Sequence, residues 1–308
     1  MKNKRFVLSK RDLDFIDKSI EISDSPASID NATFMFLPFC QLGFPRSSIN
    51  EVFFARSCGK MELKIQDGTN RSISEIPFGP AARLIFAYIC SYAVRFKTSS
   101  IELGNSAAEF MRKIGLTSSG GKKGSLTSVK SQLLNINVCR IEVKYANGKK
   151  IIIFDGPIFK DCLAVTNFES GWSRHLHLNE IFYEVLVQQK NCVPIDNRAV
   201  IALKRSSLAM DIYFMLAERL HRAKQKPSIL YWKNLRDQFG QEYADNNNGK
   251  RSFKRNFVAA LRKVLMVYPS AKVRLASGGI EIQKSSPPIP NKKLSSAQSR
   301  LVNKPCIE

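Results

Sequence analysis

The residues with the most chemical promise lie in a few places. His175-Leu176-His177 would put two imidazoles on one face of a strand, an arrangement that can hold a divalent ion. Such an ion beside a tyrosine nucleophile would cut a DNA strand, and Tyr268 stands downstream with Lys272 four residues beyond it. Yet Tyr268 precedes Pro269 and continues the apolar face of a helix, and no carboxylate or third imidazole completes a ligand set nearby. Two outward imidazoles on a strand are the preferred reading. Gly115 to Gly120 has the spacing that opens a phosphate-binding loop, but Gly121 stands where that loop needs its lysine. No apolar strand leads into it, so a flexible loop is expected. The seven cysteines are odd in number and widely spaced with no C-x-x-C, the pattern of reduced thiols in a cytosolic protein. No catalytic residue, metal or other cofactor is expected.

The remaining chemistry is basic and helical. At 100° per residue, Phe253, Phe257, Ala260, Leu261, Val264 and Tyr268 gather on one side of a helix over about 250–268. The other side carries Arg251, Ser252, Arg255, Ala259, Arg262 and Lys263, with Lys250 and Lys254 beside them. A helix that buries one face and offers Arg, Lys, Ser and small residues on the other suits a DNA major groove. An earlier helix offers a more polar face of Lys123, Thr127, Ser131 and Asn135, with Ser128 and Lys130 at its edges and Lys122 before it. The hairpins after the two helices add Lys144, Lys149 and Lys150, and Lys272 and Arg274, which can touch phosphates.

The charge balance agrees with a polyanionic partner. The formal net charge of the 308 residues is +22, an excess that opposes folding unless such a partner meets it. Residues 78–160 carry +9 and residues 198–284 carry +12, whereas 161–197 carry −3 and 1–77 only +1. Membrane-surface binding would favour one basic amphipathic helix or a terminal cluster instead. The apolar run Phe6-Val7-Leu8 stops at Ser9-Lys10-Arg11-Asp12, so neither a secretory leader nor a transmembrane helix is expected.

These side chains need elements to position them. Spacing predicts a short helix around Asp12–Ile22, a strand pair or one long strand over 51–66, and a helix from Pro80 through Leu84, Ile85, Tyr88, Ile89 and Tyr92. Then follow a strand at Ile101–Leu103, a helix capped by Asn105 or Ser106, a Gly/Ser/Lys loop over 117–124, and a helix with Leu126, Val129, Leu133 and Ile136 inward. An Asn147-Gly148 turn then joins two alternating runs into a hairpin. The same order recurs: a helix over Ser206–His221, a short helix around Tyr231–Phe239, a polar loop, the long basic helix, and a hairpin about Ser277-Gly278-Gly279. A shift of 128 positions lays Val129, Leu133 and Ile136 on Phe257, Leu261 and Val264. The fold class expected is α+β, with two tandem winged helix-turn-helix domains related by an internal pseudo-repeat. The expected divisions are 1–75, a partly ordered extension; 76–170, the first domain and a candidate dimer surface; 171–285, the second domain and main DNA binder; and 286–308, a flexible tail.

Several stretches in order resemble the plasmid-encoded RepA replication initiators, between about Asn31 and Pro290. They include Ile76-Pro77-Phe78-Gly79-Pro80, Ile101-Glu102-Leu103-Gly104, Gly120-Gly121-Lys122-Lys123-Gly124 and Val193-Pro194-Ile195-Asp196. Ala202-Leu203-Lys204-Arg205-Ser206-Ser207-Leu208, Trp232, Gln238-Phe239-Gly240 and Val267-Tyr268-Pro269 continue the series. The family usually has Tyr at Phe78 and Pro at Ala82, and it treats the stretch with His175 and His177 as an ordinary strand. The resemblance implies binding to repeated double-stranded sites (iterons) in a plasmid origin, duplex opening, and recruitment of the host initiator and helicase in the bacterial cytoplasm. It also implies homodimers that repress the protein's own gene and monomers that act at the origin. The residues alone support duplex DNA binding by two similar modules. Rival readings are a transcriptional repressor of plasmid genes, with the same chemistry at another site, and a metal-dependent rolling-circle nicking enzyme.

Overall fold

The structure, a computed structural model, describes residues 8–68, 76–121, 124–146, 151–160 and 172–290. The fold is α+β, and a similar order of elements occurs twice along the chain. The first unit contains β1 (Ala32–Phe36), α2 (Leu37–Gln41), α3 (Gly79–Phe96), β4 (Ser100–Glu102), α4 (Ala107–Lys113), α5 (Ser125–Val138) and the strands β5 (Arg140–Ala146) and β6 (Ile151–Pro157). The second contains β8 (Cys192–Asp196), α7 (Asn197–Leu203), α8 (Ser207–Leu220), β9 (Ser228–Tyr231), α9 (Trp232–Phe239), α10 (Asn247–Val267), β10 (Val273–Ala276) and β11 (Gly279–Ile282). Between them lie β7 (His175–His177) and α6 (Glu180–Tyr183), which runs on into a π-turn at Glu184–Gln188. Before the first unit comes α1 (Lys10–Asp24), and inserted between α2 and α3 is the hairpin β2 (Phe53–Cys58) and β3 (Met61–Gln66).

The units join through antiparallel β1 and β8, with Phe34 opposite Pro194 at the centre. Proline has no N–H to give its neighbour. Ser91 of α3 meets the Phe34 backbone, its hydroxyl accepting the Phe34 N–H at 2.7 Å and donating to the Phe34 carbonyl at 3.3 Å. Arg83 of α3 and Asp211 of α8 meet across the same boundary, and they are 128 positions apart, the offset of the repeat. The Arg83 Nε donates to Asp211 Oδ1 at 2.6 Å and Nη2 to Oδ2 at 2.7 Å. Its other donors reach the carbonyls of Phe44, Pro45 and Gly79, so all five N–H groups of this buried guanidinium have acceptors. One hydrophobic core runs through both units, from Phe86 and Phe110 to Tyr213, Phe253 and Leu261.

The two sheets differ. In the second unit β9 pairs with β11, giving the order β10-β11-β9. In the first, β4 pairs with β7, and the hairpin β5–β6 takes the inserted strands on its other edge, giving β2-β3-β5-β6. Sequence reading left 53–66 in an extension. Its alternation, with Leu63 and Ile65 buried and Glu62 exposed, instead supplies a strand that continues the first unit's sheet. Residues 8–41 likewise belong to the body: Ser9 caps α1 with a capping box, and Ile22 joins the core. At the other end Ile289, assigned from sequence to the tail, is fully buried with Ala27 and Ala32. The Asn147-Gly148 turn falls outside the described residues.

Candidate nucleic-acid interface

Helix α10 starts three residues before the predicted boundary. The Asn246 side chain caps it, accepting the Gly249 N–H at 2.8 Å. Gly249 is required there, because a Cβ would lie 1.9 Å from the Ala244 carbonyl oxygen. Phe253, Phe257, Ala260, Leu261, Val264 and Val267 are buried. Lys250, Arg251, Lys254, Arg255, Ala259, Arg262 and Lys263 are exposed and Ser252 is half-buried. The sequence-predicted face is therefore assembled as one continuous surface. Among the described residues no carboxylate pairs with Arg251, Arg255 or Arg262. Their full charge is available to an anion.

The two flanks of this face are less free. The Lys254 ammonium stands 5.2 Å from the centre of the Trp232 ring, at the start of α9. The Lys263 ammonium stands 5.9 Å from the ring of Phe15 in α1. Asp12 lies on the same side. Its carboxyl is held below the usual range, chiefly by the Ser9 hydroxyl and amide and in smaller part by Lys263.

On the hairpin, Lys272 is exposed, its amide donating to the Ser285 hydroxyl at 2.9 Å. Arg274 is engaged with its cross-strand neighbour Glu281 through two hydrogen bonds, 2.6 and 3.0 Å. That carboxylate raises the arginine's pKa. Arg274 is thus a partly neutralised member of the predicted set.

The first unit presents a smaller surface. Thr127 and Ser131 are exposed and Lys130 is half-buried. Thr127 also braces the preceding loop, its hydroxyl donating to the Gly121 carbonyl at 3.0 Å. Asn135, expected on the outward face, is only 6% exposed. The outward face therefore ends a turn early, because chain from before the helix covers its second half. The Phe78 N–H donates to Gln132 Oε1 at 2.7 Å, and a Cβ on Gly68 would lie 1.9 Å from the Val138 carbonyl oxygen. Lys122, Lys123, Lys149 and Lys150 lie outside the described residues. Lys144 is exposed but paired with Glu142 at 2.5 Å.

His175 and His177 are both exposed on β7, as the plain reading expects. Tyr268 is 2% exposed in the core, and its hydroxyl donates to the Ser286 carbonyl at 2.8 Å. Burial drives its pKa well above the usual tyrosine range. It is therefore not presented as a nucleophile. Among the described residues no cluster of three or more His, Cys, Asp or Glu could hold a metal ion, and no helix is long and apolar enough to cross a membrane.

Sequence reasoning missed the residues that hold the basic helix in place. Arg236 ties α9 to the following turn, its Nη2 donating to the Ala244 carbonyl at 3.0 Å and its Nη1 lying 3.1 Å from Asp245. From the first unit, Arg46 Nη1 donates to the Phe239 carbonyl at 2.6 Å, and Arg46 Nε to Glu242 Oε2 at 3.1 Å. Only Arg236 is close enough in sequence for local spacing to have flagged it. Arg46 and Glu242 are 196 positions apart.

A family model described as plasmid encoded RepA protein matches residues 76–233, half of the chain. It spans the first unit from α3 onward, then β7, α6 and β8, and the second unit as far as the start of α9. No curated protein matches the chain.

Proposed function

The chain belongs to the family of plasmid-encoded RepA proteins, and from that premise we propose that it initiates plasmid replication by reading repeated sites in the origin duplex. Each unit is read as a winged helix-turn-helix: a helix, a short strand, two helices whose second faces outward, and a two-stranded wing. In the second unit the short strand also closes onto the wing, the pairing that stiffens such a module.

The observation that carries this reading is the outer face of α10. Arg251, Arg255 and Arg262 stand there with no carboxylate among the described residues to pair with, about small Ala259. A guanidinium can donate two hydrogen bonds to the O6 and N7 of guanine, and alanine lets the helix approach the base edges. On this reading the exposed Lys250, Lys254 and Lys272 serve the phosphates on either side. Thr127, Lys130 and Ser131 of α5 form the second, weaker reader. Lys122, Lys123, Lys149 and Lys150 are proposed beside it from sequence.

Two readers on one chain would engage successive major grooves about 10 base pairs apart. Because the units differ, each site would lack two-fold symmetry, and several monomers on direct repeats would distort the duplex between them. On this reading the protein cuts no strand. It opens A·T-rich DNA and passes it to the host initiator and helicase in the cytoplasm, and dimers repress its own gene. The test is permanganate footprinting on supercoiled DNA flanking the gene, with and without a host initiator. Reactive thymines beside protected direct repeats are expected. Protection of a lone palindrome with no melting would replace this reading by a repressor, and a chelator-sensitive nick would replace it by a nicking enzyme.

A further inference from the structure

The turn that launches α10 is gripped by the other unit. Residues 239–243 span the end of α9 and the turn before α10, and the chain that holds them runs from 41, at the end of α2, to 56, in β2. The Arg46 amide donates to Glu242 Oε1 at 3.0 Å and its Nε to Oε2 at 3.1 Å, while its guanidinium lies 5.7 Å from the Tyr243 ring. Arg56 approaches the same carboxylate at 3.6 Å, and its Nε donates to Gln241 Oε1 at 3.2 Å. Its Nη1 is anchored on the Leu42 carbonyl at 2.9 Å. Gln238 adds a hydrogen bond to the Gln41 carbonyl at 2.6 Å. The grip passes on to the helix itself: Tyr243 meets the Phe253 ring edge to face at 5.5 Å, and its hydroxyl accepts from Asn256 Nδ2 at 3.1 Å.

The opposite turn is held in the reverse sense. Lys204, just after α7, donates from Nζ to the Gly115 carbonyl at 2.6 Å. Gly115 has a positive φ of 75°, and a Cβ there would lie 2.7 Å from Ile201 of α7. Gly115 and Tyr243 are related by the 128-residue offset of the repeat. Each unit thus holds a turn that follows the helix before the other's outward helix.

We propose that Arg46 and Arg56, acting through Glu242, are positioning residues that set the distance and angle between the two reading helices, and so the spacing of the two half-sites that one chain accepts. This rests on the reading of α5 and α10 as DNA readers. The physical basis is that two buried or half-buried guanidinium groups share one carboxylate. Arg56 is buried, and burial pushes its pKa down to about 10. Removing the carboxylate leaves Arg46 without its ion-pair partner and takes from Arg56 one of the two carboxylates, Glu242 and Asp211, that act on it, so the turn is expected to move as the cations rehydrate. A turn that moves carries the N-terminus of α10 with it.

The test uses the full chain and a duplex selected by it from a random 30-base-pair library. Derivatives of that duplex carry one, two or three extra base pairs between the protected half-sites. The wild type should lose at least about tenfold in affinity with two added base pairs, since each inserted pair turns the second groove by about 34°. Glu242→Gln and Arg46→Ala should bind the parent duplex less tightly but lose no more than about threefold on the same insertion. Arg255→Ala, on the outward face, should weaken binding to all spacings by a similar factor and keep the wild-type spacing dependence. Circular dichroism and thermal melting identify a variant that has unfolded, and Glu242→Gln, on a side chain 31% exposed, is the conservative member of the pair. If folded Glu242→Gln and Arg46→Ala keep the wild-type sensitivity to insertion, the positioning role is overturned while DNA reading stands. If the wild type selects no duplex, or binds every spacing alike, the two-reader function fails and the positioning role falls with it.

Discussion

The two outward helices occupy equivalent places in the repeat, yet they expose different amounts of chemistry. Helix α10 has 21 residues and keeps a charged face exposed from Lys250 to Lys263. Helix α5 has 14, and its exposed face stops at Ser131 because Gln132, Asn135 and Asn137 are buried. The cause lies outside both helices. In the first unit Gly68, just after β3, and Phe78, just before α3, lie against the second half of α5. In the second unit α1 packs against α10, with Phe15 beside Lys263, and Arg251, Arg255 and Arg262 stay exposed. The two helices therefore differ in what packs around them, while one hydrophobic core runs through both units.

The sharpest way to break this comparison is to break the joint between the units. The equivalent positions 83 and 211 carry opposite charges and are both buried. Arg83→Met would leave the Asp211 carboxylate without its partner and the Phe44, Pro45 and Gly79 carbonyls without their donors. A loss of about 3–5 kcal/mol in unfolding free energy is expected, read by urea denaturation. Arg83→Asp with Asp211→Arg should recover little of it, because a carboxylate at 83 would face three carbonyls. Full recovery in the swapped protein would mean that the joint is symmetric, which the carbonyl contacts of Arg83 argue against.

The next effect in size compares the readers directly. Arg255→Ala is expected to cost about 1–3 kcal/mol on the specific duplex and to relax one base position. Thr127→Ala and Ser131→Ala should each cost under about 1 kcal/mol, since a neutral hydroxyl gives a weaker hydrogen bond than a guanidinium. Fluorescence anisotropy titrations on the selected duplex and its point variants measure both. Equal losses at Arg255 and Thr127 would overturn the ranking of the two units.

Some of this was legible in the sequence because it is local. A 3.6-residue period located α3, α8 and α10, and the same period sorted α10 into a buried Phe253–Val267 side and an exposed arginine side. Period tells which residues share a face but not what covers it. For that reason Asn135 was placed outside and is buried. The pairing of β1 with β8 joins residues some 160 positions apart, and neither segment alternates: one holds the apolar run Phe34 to Leu37, the other contains Pro194. Arg46, Arg56 and Glu242 read as ordinary surface charges in a chain of 48 lysines and arginines. Only their convergence in space marks them.

A smaller effect separates position from charge. Two basic units that together neutralise roughly six to ten phosphates should give a slope of log K against log salt of about −5 to −9. Lys254→Gln should make that slope shallower by about 1 and weaken all sequences alike. Lys263→Gln should change it by less, because α1 sets Phe15 against the lysine and Asp12 beside it. Equal slope changes would show that α1 leaves that end of the face open.

The smallest expected effect lies on the second wing, where two neighbouring cations differ only in their company. Lys272 is exposed and no carboxylate is paired with it among the described residues. Arg274 holds Glu281 through two hydrogen bonds on the outer face of the sheet. To meet a phosphate, Arg274 must release Glu281 or bring that carboxylate close to the DNA. Either course offsets much of the attraction, and an exposed ion pair of this kind adds little to stability. Lys272→Ala should therefore weaken binding measurably at low salt, by a few tenths of a kcal/mol up to about 1 kcal/mol. Arg274→Ala should weaken it less and, by leaving Glu281 unpaired at the interface, should owe its loss mainly to repulsion. Arg274→Ala with Glu281→Ala should then bind as well as the wild type or better. If the double variant binds more weakly than Arg274→Ala, Glu281 is aligning the arginine for a contact of its own, and the wing belongs with α10 as part of the reading surface.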